Sequence, residues 1–377
     1  MSEIKITVVE VNNVAVYPPV ISLLECMADV GFKISFIGNN IASIPIRLLE
    51  KSSIEFIEIG APARSRNIPK RLYDEHVYAC KVKNKVERSM EDSEILWTTS
   101  FNTVKVLGNL VTNYKNIMQF MELIDEGYKF KHFFKIPLKE YAQKAWKVVV
   151  PEINRAYIQK TIWDLENLPY VFPNKPYNLE VGEITEDMVI PLDKVSHETK
   201  KIVLYLGGIW PDRDLKPFAS AIKDCGEYKL YIIGKAYGES SERHLEDLIS
   251  NYDVEYLGSF VAPKHLEFVK FAHIGILSYT PVKNSTAFLA LNQLYCAPNK
   301  IYEYAAYRVP MIGNDILGLK YPFEKYGIGY TCDENDKISV RETLRMIEDN
   351  YSCLQDNCEK FYINTDLKSL LLNIIND

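Results

Sequence analysis

Lys300 and Glu303 stand three positions apart in the stretch Pro298-Asn299-Lys300-Ile301-Tyr302-Glu303-Tyr304-Ala305-Ala306-Tyr307-Arg308-Val309-Pro310-Met311-Ile312-Gly313. An ammonium suits a phosphate, and a carboxylate offers two acceptors to a sugar diol. Pro298 lacks an amide hydrogen and fits the first turn of a helix, while Asn299 is a good capping residue, so a helix is expected to begin here. Ile301, Tyr304 and Ala305 then share one face. Pro310 disfavours helix at Val309, and a short apolar strand follows. The N-terminus of such a helix carries unpaired N–H groups and a partial positive charge, both suited to an anion. On these residues alone, a capped surface helix with an ion pair is the other reading.

Four more segments have the character of strand ends that could line one cleft with it. Leu206-Gly207-Gly208-Ile209-Trp210-Pro211-Asp212-Arg213-Asp214 leaves an apolar run through paired glycines, which let a ligand approach the backbone, and Arg213 can reach a diphosphate. Ile233-Gly234-Lys235, Leu257-Gly258-Ser259 and Tyr279-Thr280-Pro281 follow successive apolar runs in the same way. Each alone is turn chemistry; together they mark the carboxyl edge of a parallel sheet, where open α/β folds bind ligands. Asp212-Arg213-Asp214 has the spacing of a metal-holding pair of aspartates. We read these two instead as acids favoured at a helix start.

The elements that must position these groups follow from periodicity. In the first half, strands are expected at Ile4 to Val9, Lys33 to Ile37, Ile54 to Ile59, Ile95 to Trp97, Ile117 to Leu123 and Lys147 to Val150. Helices are expected at Val20 to Val30, about Phe130 to Trp146 and Glu152 to Trp163, with Glu10 to Asn13 as a polar loop and a linker-like, irregular stretch from Leu168 to Asp193. The alternation restarts at Lys201. The expected fold is α/β, with two Rossmann-like domains facing each other across a cleft. The domains are placed at residues 1–175 and 201–350, joined by a linker at 176–200 and followed by a helical segment at 351–377 that packs back on the first.

Composition narrows the function classes. The 377 residues carry a net charge of -6, against a general nucleic-acid binder. Seven scattered cysteines without a CxxC pair and six histidines without ligand spacing give no expectation of a disulfide framework, a metal or another cofactor. No apolar run reaches the roughly 18 to 20 residues of a membrane span, so a cytoplasmic protein is expected.

The order of these pieces resembles the GT-B glycosyltransferases of the group 1 or family 4 type. Pro298-Asn299-Lys300-x-x-Glu303-Tyr304-x-Ala306-x-x-x-Pro310-x-Ile312 matches their signature, and Gly207-Gly208 with Arg213, Gly234 and Gly258 match the preceding segments. Tyr17-Pro18-Pro19 with Asn13, Val148 to Ala156 and Pro173-Asn174-Lys175-Pro176 are similar to first-domain segments of capsule and lipopolysaccharide enzymes. The resemblance implies a nucleotide-diphosphate sugar as donor and a glycan or lipid-linked acceptor. It places Arg213, Lys300 and the helix start at the diphosphate, with Asn299 and Ile301 beside them, and Glu303 at the ribose. Gly207, Gly208, Gly234, Gly258 and Tyr279 complete the donor site; Asn13 and Tyr17 fall on the acceptor side. The base nominated for an inverting reaction is Glu122, with Asp125 behind it. A non-catalytic partner subunit and a sugar-nucleotide epimerase share the fold and stand as alternatives.

Three positions depart from the family pattern. Tyr295 replaces a glutamate that contacts the donor sugar, Met121 replaces a histidine, and Arg308 replaces a glycine, so the helix is expected to end without its common left-handed glycine cap. The basic run Arg64 to Arg88 and the basic, aromatic run Tyr128 to Lys147, with Phe130, Phe133 and Phe134, suit an anionic membrane surface at the inner face of the cell membrane. Replacing the basic residues by neutral ones is therefore expected to remove binding to anionic liposomes in a sedimentation assay. Unchanged binding would exclude the membrane role.

Overall fold

The computed structural model describes residues 4–63, 65–124, 127–129, 134–210, 213–279 and 287–377. Two compact units account for the chain, one running up to Asn178 and including Asp366–Asp377, the other Leu179–Thr365. Arg64, Asp125, Phe130, Phe133, Pro211, Asp212, Thr280 and Pro281 lie outside the described residues.

In the first unit the strands are β1 (Lys5–Asn13), β2 (Lys33–Asn39), β3 (Ile54–Glu58), β4 (Ile95–Thr98), β5 (Asn116–Gln119), the antiparallel pair β6 (Gly127–Lys129) and β7 (Phe134–Ile136), β8 (Lys147–Val150) and β9 (Tyr170–Val171). Its helices are α1 (Pro18–Val30), α2 (Ile46–Leu49), α3 (Ile68–Met90), α4 (Phe101–Leu107), α5 (Leu138–Lys144) and α6 (Ile153–Trp163). The sheet runs in the order β3-β2-β1-β4-β5-β8-β9 and is parallel throughout. Side-chain alternation along β1 sends Ile6 and Val8 into one apolar layer and Val9 and Val11 into the other, so both faces are covered.

The second unit holds α7 (Glu186–Ser196), β10 (Lys201–Leu206), α8 (Lys216–Cys225), β11 (Tyr228–Ile233), α9 (Glu239–Tyr252), β12 (Val254–Gly258), α10 (Leu266–Val269), β13 (Ile274–Leu277), α11 (Ala287–Leu294), α12 (Lys300–Ala306), β14 (Met311–Asn314), α13 (Leu317–Tyr326), β15 (Gly329–Cys332), α14 (Lys337–Asp349) and α15 (Tyr351–Asn364). Its sheet order is β12-β11-β10-β13-β14-β15. Both sheets thus reverse direction between their first and fourth parallel strands, which is the point where such folds open a crevice beyond the strand ends.

Local sequence explains where the structure departs from expectation. Pro137 pushes Ile136 away from helical geometry, so the helix expected from Phe130 is confined to α5 and β7 precedes it. The expected strand from Ile117 to Leu123 stops at Gln119. β1 continues through the supposed polar loop to Asn13, with a register shift between Glu10 and Asn13. Within residues 176–200 lies α7, which runs through Pro191 and buries Met188 and Val195. The final segment divides: α15 belongs to the second unit, whereas α16 (Leu367–Asn376) packs Leu367, Leu371, Ile374 and Ile375 into the first unit's core.

That placement makes α16 an integral part of the first unit. Leu371 is fully buried, and Leu371→Ala is expected to destabilise the first unit by about 2–5 kcal/mol in urea unfolding. A change within about 0.5 kcal/mol would show that α16 is peripheral.

Candidate active site

Three glycines stack at the carboxyl ends of β10, β11 and β12. Gly207 donates its N–H to the Ile233 carbonyl at 2.9 Å, and Gly234 donates to the Gly258 carbonyl at 2.9 Å. A Cβ on Gly234 would fall 1.7 Å from the Gly207 carbonyl oxygen, so the two turns can touch only as bare backbone. At Gly207 the φ is +125°, and a Cβ there would lie 2.7 Å from both Cε and Nζ of Lys300. Gly208 accepts a hydrogen bond from the buried Tyr205 hydroxyl at 2.9 Å, which fixes the turn from below.

Helix α12 approaches this turn from beyond β13. Its anchor is Tyr304, fully buried, whose ring fills the space over Gly275 and whose hydroxyl donates to the Leu204 carbonyl at 2.7 Å and accepts from the Leu206 N–H at 3.2 Å. Ile301 joins the same core. Asn299 is itself helical, at φ -56° and ψ -36°, and makes no side-chain cap. The N–H groups of Tyr302 and Glu303 turn back to the Asn299 carbonyl at 3.0 and 3.1 Å, and that of Ile301 to Pro298 at 3.4 Å. The capping expectation for Asn299 is thus corrected: its backbone, not its amide side chain, closes the first turn.

Lys300 and Glu303 do not pair with each other. Glu303, 8% exposed, faces His265 Nε2 at 3.4 Å. Lys300 is also 8% exposed, and its ammonium has no hydrogen-bond partner among the described residues. It sits over the rings of Tyr205 at 4.2 Å and Tyr279 at 5.6 Å, while the Arg213 guanidinium lies over the same Tyr279 ring at 5.0 Å. Burial, reinforced by the Arg213 charge, pushes the Lys300 ammonium down to about 7 from its ordinary 10.5. Two cations around one tyrosine, at a glycine turn that admits close approach, form a receptor for an anion. The crevice between β10 and β13 is the switch point of this sheet.

At the helix's other end, Arg308 takes the left-handed conformation, φ +59°, that a glycine would adopt freely. The left-handed geometry is thus kept without a glycine, at a cost of roughly 1–2 kcal/mol. Ion pairs of Arg308 with Asp356 and, at 3.5 Å, with Glu359 on α15 help to hold it. Tyr295 lies just after α11, where the chain packs closely on Gly318.

In the first unit, Asn13 caps the short turn after β1 by accepting from Ala15 N–H at 3.1 Å. Tyr17 is half-buried, and burial raises its hydroxyl pKa, helped by the nearby charges of Glu10 and Glu122. Glu122 is 69% exposed and lies 3.5 Å from the buried Arg155, which also donates to the Met121 carbonyl. Sequence reading missed Glu10. Its carboxyl is fully buried at the switch point between β1 and β4, with Oε1 accepting from Asn12 N–H at 2.7 Å and Ser100 Oγ at 3.0 Å. Thr99 Oγ1 lies 2.8 Å from Glu10 Oε2 and 2.9 Å from the Val9 carbonyl. Burial raises the Glu10 pKa, and the hydrogen bonds from Asn12, Thr99 and Ser100 act against that rise. The Thr98-Thr99-Ser100 run after β4 was the available signal.

The strained charge of Lys300 has a measurable signature. Between pH about 7 and 10.5 the folded chain sheds a proton that the unfolded chain keeps, so this residue's penalty falls as pH rises through that window. Lys300→Met is expected to stabilise the unliganded protein by on the order of a few kcal/mol at pH 6 and by less at pH 9, while weakening pyrophosphate binding at least tenfold. Destabilisation at both pH values in thermal unfolding would refute the assignment.

No protein-family model matches this sequence, and no curated protein matches it significantly. Solved structures do match its fold. Sucrose-phosphate synthase from Thermosynechococcus elongatus aligns with a TM-score of 0.67 at 13% identity, covering 98% of this chain and 97% of that one. HepE from Anabaena, in complex with UDP-glucose, gives 0.68 at 11%, covering 98% of each chain. WaaG, a glycosyltransferase involved in lipopolysaccharide biosynthesis, gives 0.63 at 12%, covering 99% and 100%. The chain therefore has the GT-B fold, with two Rossmann-like domains, that glycosyltransferases of this kind share.

Proposed function

We propose that this protein is a glycosyltransferase that takes a sugar from a nucleotide-diphosphate donor held by the second unit. The observation that carries this reading is the unpaired, buried Lys300 ammonium beside Arg213 and against Gly207. A leaving diphosphate develops negative charge as the bond from its oxygen to the sugar carbon breaks, and these two cations would take it up. Glu303, backed by His265, suits the two ribose hydroxyls. The proposal assigns the charge balance to protein cations and not to a metal.

The acceptor is assigned to the first unit, around Asn13 and Tyr17. In an inverting reaction the acceptor hydroxyl would pass its proton to Glu122; in a retaining one, to the leaving phosphate oxygen. The complex of HepE with UDP-glucose makes UDP the first nucleotide to try. The involvement of WaaG in lipopolysaccharide biosynthesis supports a surface glycan or lipid-linked acceptor for this chain. Among the described residues no helix is long and apolar enough to cross a membrane. We place the protein in the cytoplasm, with contact at the inner membrane face through the basic, partly apolar surface of α3, where Ile68, Tyr73 and Val77 are exposed.

A thermal-shift screen against UDP, GDP, TDP and CMP, with and without EDTA, tests the donor reading. One nucleoside diphosphate is expected to stabilise the protein equally in both conditions, and Arg213→Ala and Glu303→Ala each to weaken it about tenfold, or about 1.4 kcal/mol. Full affinity in both variants would remove the site assignment, and the absence of any nucleotide binding would favour a non-catalytic partner subunit.

A further inference from the structure

A second cavity, of about 1110 Å³, opens in the first unit beyond the carboxyl ends of β1, β2 and β3, between α3 and α4. It is as large as the larger small-molecule clefts. Five asparagines line it: Asn12 and Asn13 at the end of β1, Asn39 and Asn40 at the end of β2, and Asn102 on α4. An asparagine amide both donates and accepts, as a sugar hydroxyl does. Their side chains are already arranged by one another, with Asn40 Nδ2 donating to Asn13 at 2.9 Å and Asn102 Nδ2 donating to Asn12 at 2.8 Å. The Oδ1 atoms of Asn40 and Asn102 are left without a partner among the described residues, ready to accept.

The same wall carries charges of both signs, and its carboxylates are engaged where its ammonium groups are not. Glu58 is occupied by the backbone N–H groups of Asn40, Ile41 and Gly60 at 3.1, 2.8 and 2.8 Å. Glu75 lies 3.8 Å from Arg71. Lys83 and Lys105 also line the cavity and are half-buried, yet neither has an acidic partner or a hydrogen bond among the described residues. Elsewhere in the chain the partly buried Lys201 and Lys229 meet Glu348 at 2.8 Å and Glu255 at 3.7 Å. Tyr78, in the same wall, is buried and commits its hydroxyl to the Gly60 carbonyl, while His76 presents an exposed imidazole.

We infer that this cavity binds a sugar bearing a phosphate or carboxylate, the asparagines reading its hydroxyls and Lys83 and Lys105 its charge. Taken with the glycosyl-transfer reading, on which this further identification rests, the ligand is an anionic acceptor. A neutral sugar would use the amides and leave both ammonium groups unanswered; inorganic phosphate would do the reverse.

Calorimetry on the full chain with glucose, glucose 6-phosphate, glucuronate and inorganic phosphate separates these cases. At least one anionic sugar is expected to bind ten times more tightly than glucose and more tightly than phosphate, and comparison of the two identifies the preferred anion. The double variant Lys83→Met/Lys105→Met should lower that affinity at least tenfold while keeping the wild-type melting temperature. Lys300→Met should leave it unchanged, which excludes binding of the probe at the donor site. The inference is overturned if neither anionic sugar exceeds glucose, if the double variant binds as wild type does, or if Lys300→Met alone abolishes binding. Parallel titration with UDP, GDP and TDP keeps the two readings apart: binding of a nucleoside diphosphate without anionic-sugar binding sinks the cavity assignment alone, whereas anionic-sugar binding with none of the three bound sinks the donor assignment and leaves the cavity's ligand standing.

Discussion

A cation buried without an acid against it works against folding, and the second unit is arranged around one. The Lys300 ammonium is enclosed by two tyrosine rings and a glycine turn, with a guanidinium nearby that raises the cost further. Ring faces recover part of the lost hydration, typically about 0.5–2 kcal/mol for each contact. The remainder is a free-energy difference that an incoming anion can remove. Affinity for the ligand and instability of the empty site are therefore two views of the same electrostatic arrangement.

Holding such a group in place requires rigidity on every side. Tyr304 ties α12 to the backbone of β10, while Gly234 and Gly207 meet with no space for a methyl group between them. Arg308, in a left-handed conformation, stops α12 and links it to α15. Helix, turn and strand ends are thus tied to one another around the ammonium. The first unit uses a different device at the equivalent reversal in its own sheet. Glu10 is buried there too, but hydroxyl and amide donors hydrogen-bond both of its oxygens, so this buried acid is partnered where Lys300 is not.

Much of this was legible in residue order. The strands from Lys201, Tyr228, Val254 and Ile274 and the glycines that follow them stand where apolar runs and turn residues place them. What the sequence could not settle was partnership. Lys300 and Glu303 have the spacing of an ion pair, yet tertiary packing turns one toward Gly207 and the other toward His265, a residue far away in the chain. Asn299 has the side chain of a cap and a helical backbone that prevents it from acting as one. Glu10 read as a loop residue because it is charged, although a carboxyl in a hydrogen-bonded cage can sit within a buried strand. β15 was missed because Gly329-Tyr330-Thr331-Cys332 is short and carries little pattern; α7 was missed because Pro191 lies inside it.

The path of the chain through α16 has a consequence for assembly order. The first unit is discontinuous: the layer containing Leu23, Leu24 and Met27 is closed by Leu371 and Ile374, and the entire second unit intervenes between them. During synthesis the N-terminal sheet can pair its strands and receive α1 early, but that layer stays incomplete until residues beyond Asp366 have been made. The second unit, continuous in sequence, has all its parts before the first does. Synthesis from the N-terminus thus delivers the last piece of the first unit only after every piece of the second.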